Sequence, residues 1–232
     1  MQLSVRDAAG IFNVPEKTVF QWIKQRNLPA YKINDQYRFN RSELLEWATS
    51  TQTDITSDII TTPSDERERL PRLDEALKTG GVNYDVPGTD KFSVLQTVVD
   101  LMSLTEDVDR SFLRQVLLSR EALGSTAIGN GIAIPHVRNP IVLHISSPMI
   151  SLCYLKHPVD FGALDGRPVH ILFTLISPTV RTHLHLLSKL SFALSDPEFR
   201  SVIMSQRPAT NIFSEAARIE DKIQNSIHSQ AS

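Results

Sequence analysis

Between Gly129 and Arg138 the chain reads Gly129-Asn130-Gly131-Ile132-Ala133-Ile134-Pro135-His136-Val137-Arg138, and further on Thr182-His183-Leu184-His185. An imidazole with an ordinary pKa of about 6.5 is largely neutral near pH 7 and is then a competent nucleophile. One histidine held by its neighbours and a second able to face it suit phosphoryl transfer. That reaction asks for positioning and charge stabilisation more than for elaborate covalent chemistry. Pro135 restricts the approach to His136, and the paired glycines allow a close backbone approach.

Other readings of the same residues fit less well. Gly129-x-Gly131 could open a dinucleotide-binding loop, but Ile134 occupies the third glycine position and no acidic residue follows at the expected distance. His144, His157, His170 and His228 show no partner pattern and read as structural or exposed. His185 stands two residues from His183, so on a helix it points to another face. Asp165-Gly166 reads as a turn ahead of a strand starting at Val169, not as a general base. No zinc-type spacing occurs, no cofactor motif is present, and Cys153 is alone in an apolar run, which excludes an internal disulfide and suggests a buried thiol. The chain opens on polar residues without a signal peptide, and no apolar run approaches a membrane span, so a cytoplasmic protein without membrane contact is expected.

These histidines need a scaffold, and 232 residues allow one large domain or two small ones. Residues 1–50 read as a small unit. Ser4 and Asp7 fit a capping box opening a helix through Phe12, and Pro15 suits the first position of a second helix running to Arg26. Tyr31-Lys32-Ile33 and Tyr37-Arg38-Phe39 alternate around Asn34-Asp35 as a hairpin. Asn40 caps a third helix ending near Ala48. This unit holds seven basic and five acidic side chains, whereas the whole chain carries a net charge of -2. Any nucleic-acid contact therefore rests on a local patch.

Residues 51–69 are rich in Thr, Ser, Asp and Gln and end in alternating charges, the composition of a solvated linker. Residues 70–226 alternate helical and strand patterns. Lys91–Leu104, Asp109–Glu121, Thr182–Leu194, Asp196–Gln206 and Asn211–Ile223 read as helices, and Met149–Leu155 and Val169–Ile176 as largely buried strands. The fold class is α/β (α+β), with residues 227–232 a tail.

The first unit resembles the winged helix-turn-helix of the excisionase and MerR type. The resemblance rests on Leu3-Ser4-Val5-Arg6-Asp7-Ala8-Ala9, Val14 to Ile23, Leu28-Pro29-Ala30-Tyr31-Lys32 and Tyr37-Arg38-Phe39. It implies a DNA-binding surface from Lys17, Thr18, Gln21 and Lys24 on the second helix, with Lys32 and Arg38 on the wing. Val19, Trp22 and Ile23 can pack inward while Lys17, Gln21 and Lys24 share the outer face. Gln21 can then pair with a base edge and the lysines with phosphates. A homodimer would double the few phosphates that one such unit neutralises.

From Arg120-Glu121-Ala122-Leu123-Gly124-Ser125-Thr126 through His136, the second unit resembles the enzyme IIA domain of the fructose/mannitol class in the bacterial phosphoenolpyruvate-dependent phosphotransferase system. It is nearest to the nitrogen-related subgroup. Pro158 to Val169 and Thr182-His183-Leu184 extend the likeness. The resemblance implies a mixed β-sheet flanked by helices. It also implies a phosphorylated His136, a second active-site histidine in His183 and an active-site arginine in Arg120, whose planar fork suits phosphoryl oxygens. Ser125 and Thr126 are candidates for further support. The implied donor is HPr or its nitrogen-related relative, and the chain would be a phosphohistidine carrier more than a turnover enzyme. Val137 departs from the family, where glycine is common, and a β-branched residue there is expected to narrow access to His136.

The two resemblances together imply a DNA-binding transcriptional regulator whose phosphorylation signals nitrogen or carbon status. Two alternatives differ in class. One is a relay component that passes phosphate from His136 to an acceptor. The other is an unphosphorylated module that binds a kinase or channel.

Overall fold

The computed structural model describes residues 2–51 except 27, 34 and 35, then 53, 70–137 except 107, 145, and 147–230. Most of the expected linker, the Asn34-Asp35 turn, Arg138 and His144 lie outside the described residues. No helix among them is long and apolar enough to cross a membrane.

The first unit runs β1 (Gln2–Leu3), α1 (Val5–Phe12), α2 (Glu16–Gln25), β2 (Tyr31–Ile33), β3 (Gln36–Asn40) and α3 (Arg41–Thr51), with the strands antiparallel in the order β1-β3-β2. The expected capping box is present. The Asp7 amide donates to Ser4 Oγ at 3.2 Å, and the Ser4 amide donates to Asp7 Oδ2 at 2.8 Å. Helix α2 begins at Glu16, so Pro15 is its N-cap residue and not its first helical residue. Phe12 meets Trp22 and Trp47 edge-on, with ring centroids 5.3 and 5.6 Å apart, inside a core that includes Val19, Leu28, Phe39 and Leu44.

The second unit runs α4 (Leu73–Gly80), β4 (Val82–Val86), α5 (Lys91–Leu101), α6 (Arg110–Ala122), β5 (Ala127–Gly129), β6 (Ile132–Ala133), β7 (Met149–Val159), β8 (Val169–Ile176), α7 (Val180–Ser195), α8 (Pro197–Met204) and α9 (Ala209–Gln230). Its five-stranded sheet has the order β4-β7-β8-β6-β5. The pairs β4–β7 and β6–β8 are parallel, and β7–β8 and β5–β6 antiparallel. Central β8 is apolar almost throughout because both its faces are covered. Ile171, Phe173 and Leu175 pack with residues of α4, α7, α8 and α9, whereas Leu172 and Ile176 pack with residues of α5 and α6. Helix α9 continues through Gln230, past the expected end at Ile223 and into the expected tail. Ile212, Ala216, Ile219 and Ile223 form its buried stripe.

Helix α7 is tied on several sides. Lys189 Nζ donates to the buried Glu220 of α9 at 2.6 Å, and Glu220 also accepts the Leu73 amide at the start of α4. His185 Nε2 bonds the Pro71 carbonyl at 3.1 Å. The two units also touch. Leu45 of α3 is 1% exposed and packs into the cluster of Ile128, Ile132, Leu190 and Leu194. Beside it, Thr49 Oγ1 and Ser191 Oγ of α7 lie 2.7 Å apart, both buried.

Asp196 joins α8 to α9. It accepts the Phe199 amide at 3.2 Å, Arg218 at 2.5 Å and Lys222 at 3.0 Å. Burial opposes its charge, but the bonds from Arg218, Lys222 and the Phe199 amide outweigh that and hold the carboxyl well below its ordinary value. With the folded pKa depressed, this stabilisation is complete above the unfolded value near 3.8 and is lost as pH falls below it. Asp196→Asn should cost about 2 kcal/mol at pH 7. It should also flatten the loss of stability below about pH 4. Urea unfolding at pH 7 and pH 3 measures both effects, and an unchanged acid slope would count against the assignment.

Candidate phosphoryl site and DNA-facing surface

His136 is positioned by strand geometry. Segment 132–137 runs parallel to β8, pairing Ile132 with Ile171, Ala133 with Leu172 and, as an isolated bridge, His136 with Leu175. The Leu175 amide donates to the Pro135 carbonyl at 3.0 Å. His136 therefore lies at the carboxyl end of this parallel pair. Helix α7 begins just after the carboxyl end of β8, so its N-terminus comes to the same edge of the sheet. Thr179 caps it, accepting the Thr182 amide at 3.1 Å, and His183 sits in its first turn. The His136 and His183 rings are 5.2 Å apart and tilted by 37°. An anion at this point meets the positive end of a helix dipole.

The His136 tautomer follows from its neighbour. Nδ1 lies 2.7 Å from the Ile134 carbonyl, which can only accept, so Nδ1 carries a proton and, of the two neutral tautomers, this contact selects the one with its lone pair on Nε2. Ile134 is held in turn by its amide, which donates to the Thr126 carbonyl at 3.0 Å. The turn before Thr126 is closed by Arg120, whose Nη1 donates to the Gly124 carbonyl at 2.9 Å. A short series of bonds thus joins Arg120 at the end of α6 to His136. The hairpin between them turns at Gly129, Asn130 and Gly131, all with positive φ. At Gly131 a Cβ would stand 2.2 Å from the His170 ring, so the turn requires glycine there.

Neighbouring residues hold this loop or fill the core beside it. Ser125 Oγ donates to the Phe161 carbonyl at 2.6 Å and accepts the Ala127 amide at 3.1 Å, a supporting role within the loop. Thr126 gives both its amide and its hydroxyl to Glu121 Oε2, at 3.0 and 2.6 Å. Glu121 is 6% exposed and also takes Lys91 Nζ at 3.3 Å. Sequence reasoning passed over Glu121, although its place beside Arg120 in the same motif was a signal. Val137 is a correction. Its side chain is 1% exposed and packs among Ala133, Val169 and Leu172, so it turns into the core and not over His136. Asp165 accepts the amides of Asn130 at 2.7 Å and Arg167 at 3.2 Å, which hold its carboxyl below the ordinary value and make it a turn anchor. Cys153 is fully buried, and burial pushes its thiol up.

In the first unit, Lys17, Gln21 and Lys24 are exposed on α2 while Val19 is fully buried and Trp22 and Ile23 half-buried. Thr18 is half-buried. Arg38 is half-buried and donates to Gln36 Oε1 at 2.7 Å. Lys32 lies in β2, and its side chain is outside the described residues. The three exposed residues keep this exposure with α3 packed on the second unit. No group of three or more metal-type ligands occurs among the described residues.

Comparison with known proteins follows these divisions. Residues 75–216 match the family described as phosphoenolpyruvate-dependent sugar phosphotransferase system, EIIA 2, and residues 3–52 match a helix-turn-helix domain. The chain is 37% identical over 145 residues to a nitrogen regulatory protein of Pseudomonas aeruginosa, covering 61% of this chain and 92% of that protein. It is 31% identical over 136 residues to the fructose-specific EIIABC component of Bacillus subtilis, covering 57% of this chain but 21% of that longer protein. The crystal structure of nitrogen regulatory protein IIA-Ntr from Neisseria meningitidis superposes with a TM-score of 0.51 at 28% identity, covering 58% of this chain and 91% of that one. A mixed sheet flanked by helices is common to both.

Glu121 offers a direct check on the loop that supports Ile134. Glu121→Gln keeps the shape but replaces the charged acceptor of Thr126 and Lys91. It should cost about 2 kcal/mol in urea unfolding. A change below about 0.5 kcal/mol, the range of an ordinary surface substitution, would show that the carboxylate does not hold the loop.

Proposed function

The chain belongs to the EIIA 2 family of the phosphoenolpyruvate-dependent sugar phosphotransferase system and has a helix-turn-helix domain ahead of it, and on that premise we propose that it is a DNA-binding transcriptional regulator switched by phosphorylation of His136. Residues 1–50 are the DNA-binding domain, with α3 ending one residue on at Thr51, the linker runs to residue 69, and 70–226 are the EIIA domain, whose last helix α9 runs on through Gln230. The donor is a phosphohistidine carrier of the HPr type or its nitrogen-related relative, and the protein works in the cytoplasm, with a homodimer as its DNA-binding form.

The observation that carries this reading is the anchored imidazole. With Nδ1 donating to the Ile134 carbonyl, the neutral ring of His136 carries its lone pair on Nε2, the nitrogen that would take the phosphoryl group without a change of tautomer. In the proposed step Nε2 attacks the phosphorus of the carrier's phosphohistidine. A new N–P bond forms as the carrier's N–P bond breaks, and that electron pair returns to the carrier nitrogen. His183 in the first turn of α7 donates a hydrogen bond to the transferred group, and Arg120 offers its guanidinium to the phosphoryl oxygens. The product carries up to two added negative charges.

The same elements support a link to DNA. Helix α7 carries His183 near one end and Ser191 about two turns on, where Thr49 of α3 meets it. Ile128 and Ile132, which pack on Leu45, belong to the hairpin leading to His136. The charge is therefore added where two elements that carry the first unit converge. Because Lys17, Gln21 and Lys24 are exposed in this arrangement, the signal is proposed to alter the placing of the DNA-reading unit or its pairing with a second copy, not to uncover it.

Incubation with phosphoenolpyruvate, enzyme I and the carrier should place an acid-labile phosphate on the chain. His136→Ala should abolish the label, and Arg120→Lys should slow its appearance by about tenfold, since a lysine lacks the bidentate fork. Labelling that survives His136→Ala would refute the site. Phosphorylated and unphosphorylated protein should then differ at least about threefold in affinity for genomic sites recovered at low salt. Equal affinities with intact labelling would remove the regulatory reading, and onward transfer to an acceptor domain would put a relay in its place.

A further inference from the structure

Phe20 is the large side chain of α2 that the core does not use. It is 40% exposed, whereas the contribution of α2 to the apolar core is Val19, Trp22 and Ile23. Its ring meets that of Tyr37 of β3 edge to face, with centroids 5.9 Å apart. Folding removes part of this ring from water, but a large apolar area stays in solvent that packing within the unit does not account for.

Its position is informative. At about 100° per residue, Lys17, Gln21 and Lys24 fall in a stripe about 60° wide, and Phe20 borders that stripe on one side. Tyr37 stands next to Arg38, so Phe20 bridges the outer face of α2 and the hairpin. An apolar ring is thereby set among side chains whose chemistry suits phosphates and base edges. The Tyr37 contact restrains its rotamer before any partner arrives, so little side-chain freedom remains to be lost on binding.

The major groove offers one strongly apolar mark amid its donors and acceptors, the C5-methyl group of thymine. A polar side chain can read the other edges, but that methyl is met by an apolar surface. We propose that Phe20 reads a thymine methyl in the major groove, so that the preferred site of this protein carries a thymine at a fixed position next to the base met by Gln21. This rests on the reading that α2 enters DNA, and it adds a sequence requirement which that reading lacks. Lysines would supply salt-sensitive affinity that is indifferent to sequence, and Phe20 would supply selectivity that salt leaves nearly unchanged.

The test uses the full chain. A preferred duplex is selected from a random oligonucleotide pool, and each thymine is then replaced singly by deoxyuridine, which removes only the methyl group. One replacement in each half-site should weaken binding about fourfold, the transfer value of one buried methylene-sized group. Phe20→Ala, which alters both subunits of a dimer, should bind the thymine duplex about as weakly as the wild type binds a duplex with the sensitive thymine of both half-sites replaced, and should show no further loss when those methyls are removed. Its far-ultraviolet spectrum and its binding to random-sequence DNA at low salt should match the wild type. A selected site with no sensitive thymine, or a methyl effect that persists undiminished in Phe20→Ala, overturns the assignment while DNA binding stands. Failure to select any site overturns the DNA reading and this inference with it. The deoxyuridine series on the wild type needs no variant to fold.

Discussion

The backbone of Ile134 is the point on which the arrangement of His136 and its neighbours depends. Its amide is spent on the Thr126 carbonyl and its carbonyl receives Nδ1–H of His136. One peptide unit thus sets both the path of the chain and the orientation of the imidazole. An unpaired Nδ1 would leave the tautomer undecided and the ring able to rotate, and catalytic imidazoles are commonly fixed in this manner. What surrounds Ile134 can be understood as keeping that unit in place. The parallel pairing with β8 sets its height in the sheet, Glu121 holds the Thr126 loop, and Arg120 closes the turn before it.

The sheet then brings a second element to the same place. Because β6 and β8 are parallel, the segment after β6 and the helix after β8 emerge at one edge, and ligands in α/β folds commonly bind at the carboxyl ends of strands. His136 and the first turn of α7 meet there without any long-range device beyond strand order. The apolar clusters on the two faces of the sheet make this arrangement stiff. Helix α7 sinks Leu186, Leu187 and Leu190 into one of them, while Val137, the residue after His136, enters the other.

Much of this was legible in the amino-acid sequence, and what was not has identifiable causes. The helices α5, α6 and α7 and the strands β7 and β8 are long enough for periodicity to speak, and the Ser4–Asp7 box announces α1 directly. Strands β5 and β6 are only a few residues each, too short for any period, and β4 pairs with β7 through an irregular register. The histidine pair was visible as residue types, but their 5.2 Å approach depends on strand order, which no local pattern encodes. Val137 was misread because its type was considered without its side. Alternation along an extended segment sends it away from the face His136 occupies. Glu121 was missed because a carboxylate in a helix ordinarily faces water, and only the return of the chain at Thr126 gives it a buried task.

Leu45 has a consequence for how the molecule came to be one protein and not two joined end to end. This leucine is on a helix of the helix-turn-helix unit, yet it is 1% exposed among side chains of the other unit, next to the buried hydroxyl pair Thr49 and Ser191. Two modules that merely share a chain melt separately and tolerate each other's loss. Modules that share a core residue exchange stability, so a lesion in either is felt as a lower melting point of both. Inheritance should follow the same boundary. The surface of Ile128, Ile132 and Leu194 that receives Leu45 has reason to stay apolar only while the fusion persists. A descendant that shed its first fifty residues would be pressed to make that surface polar or to find it a new cover.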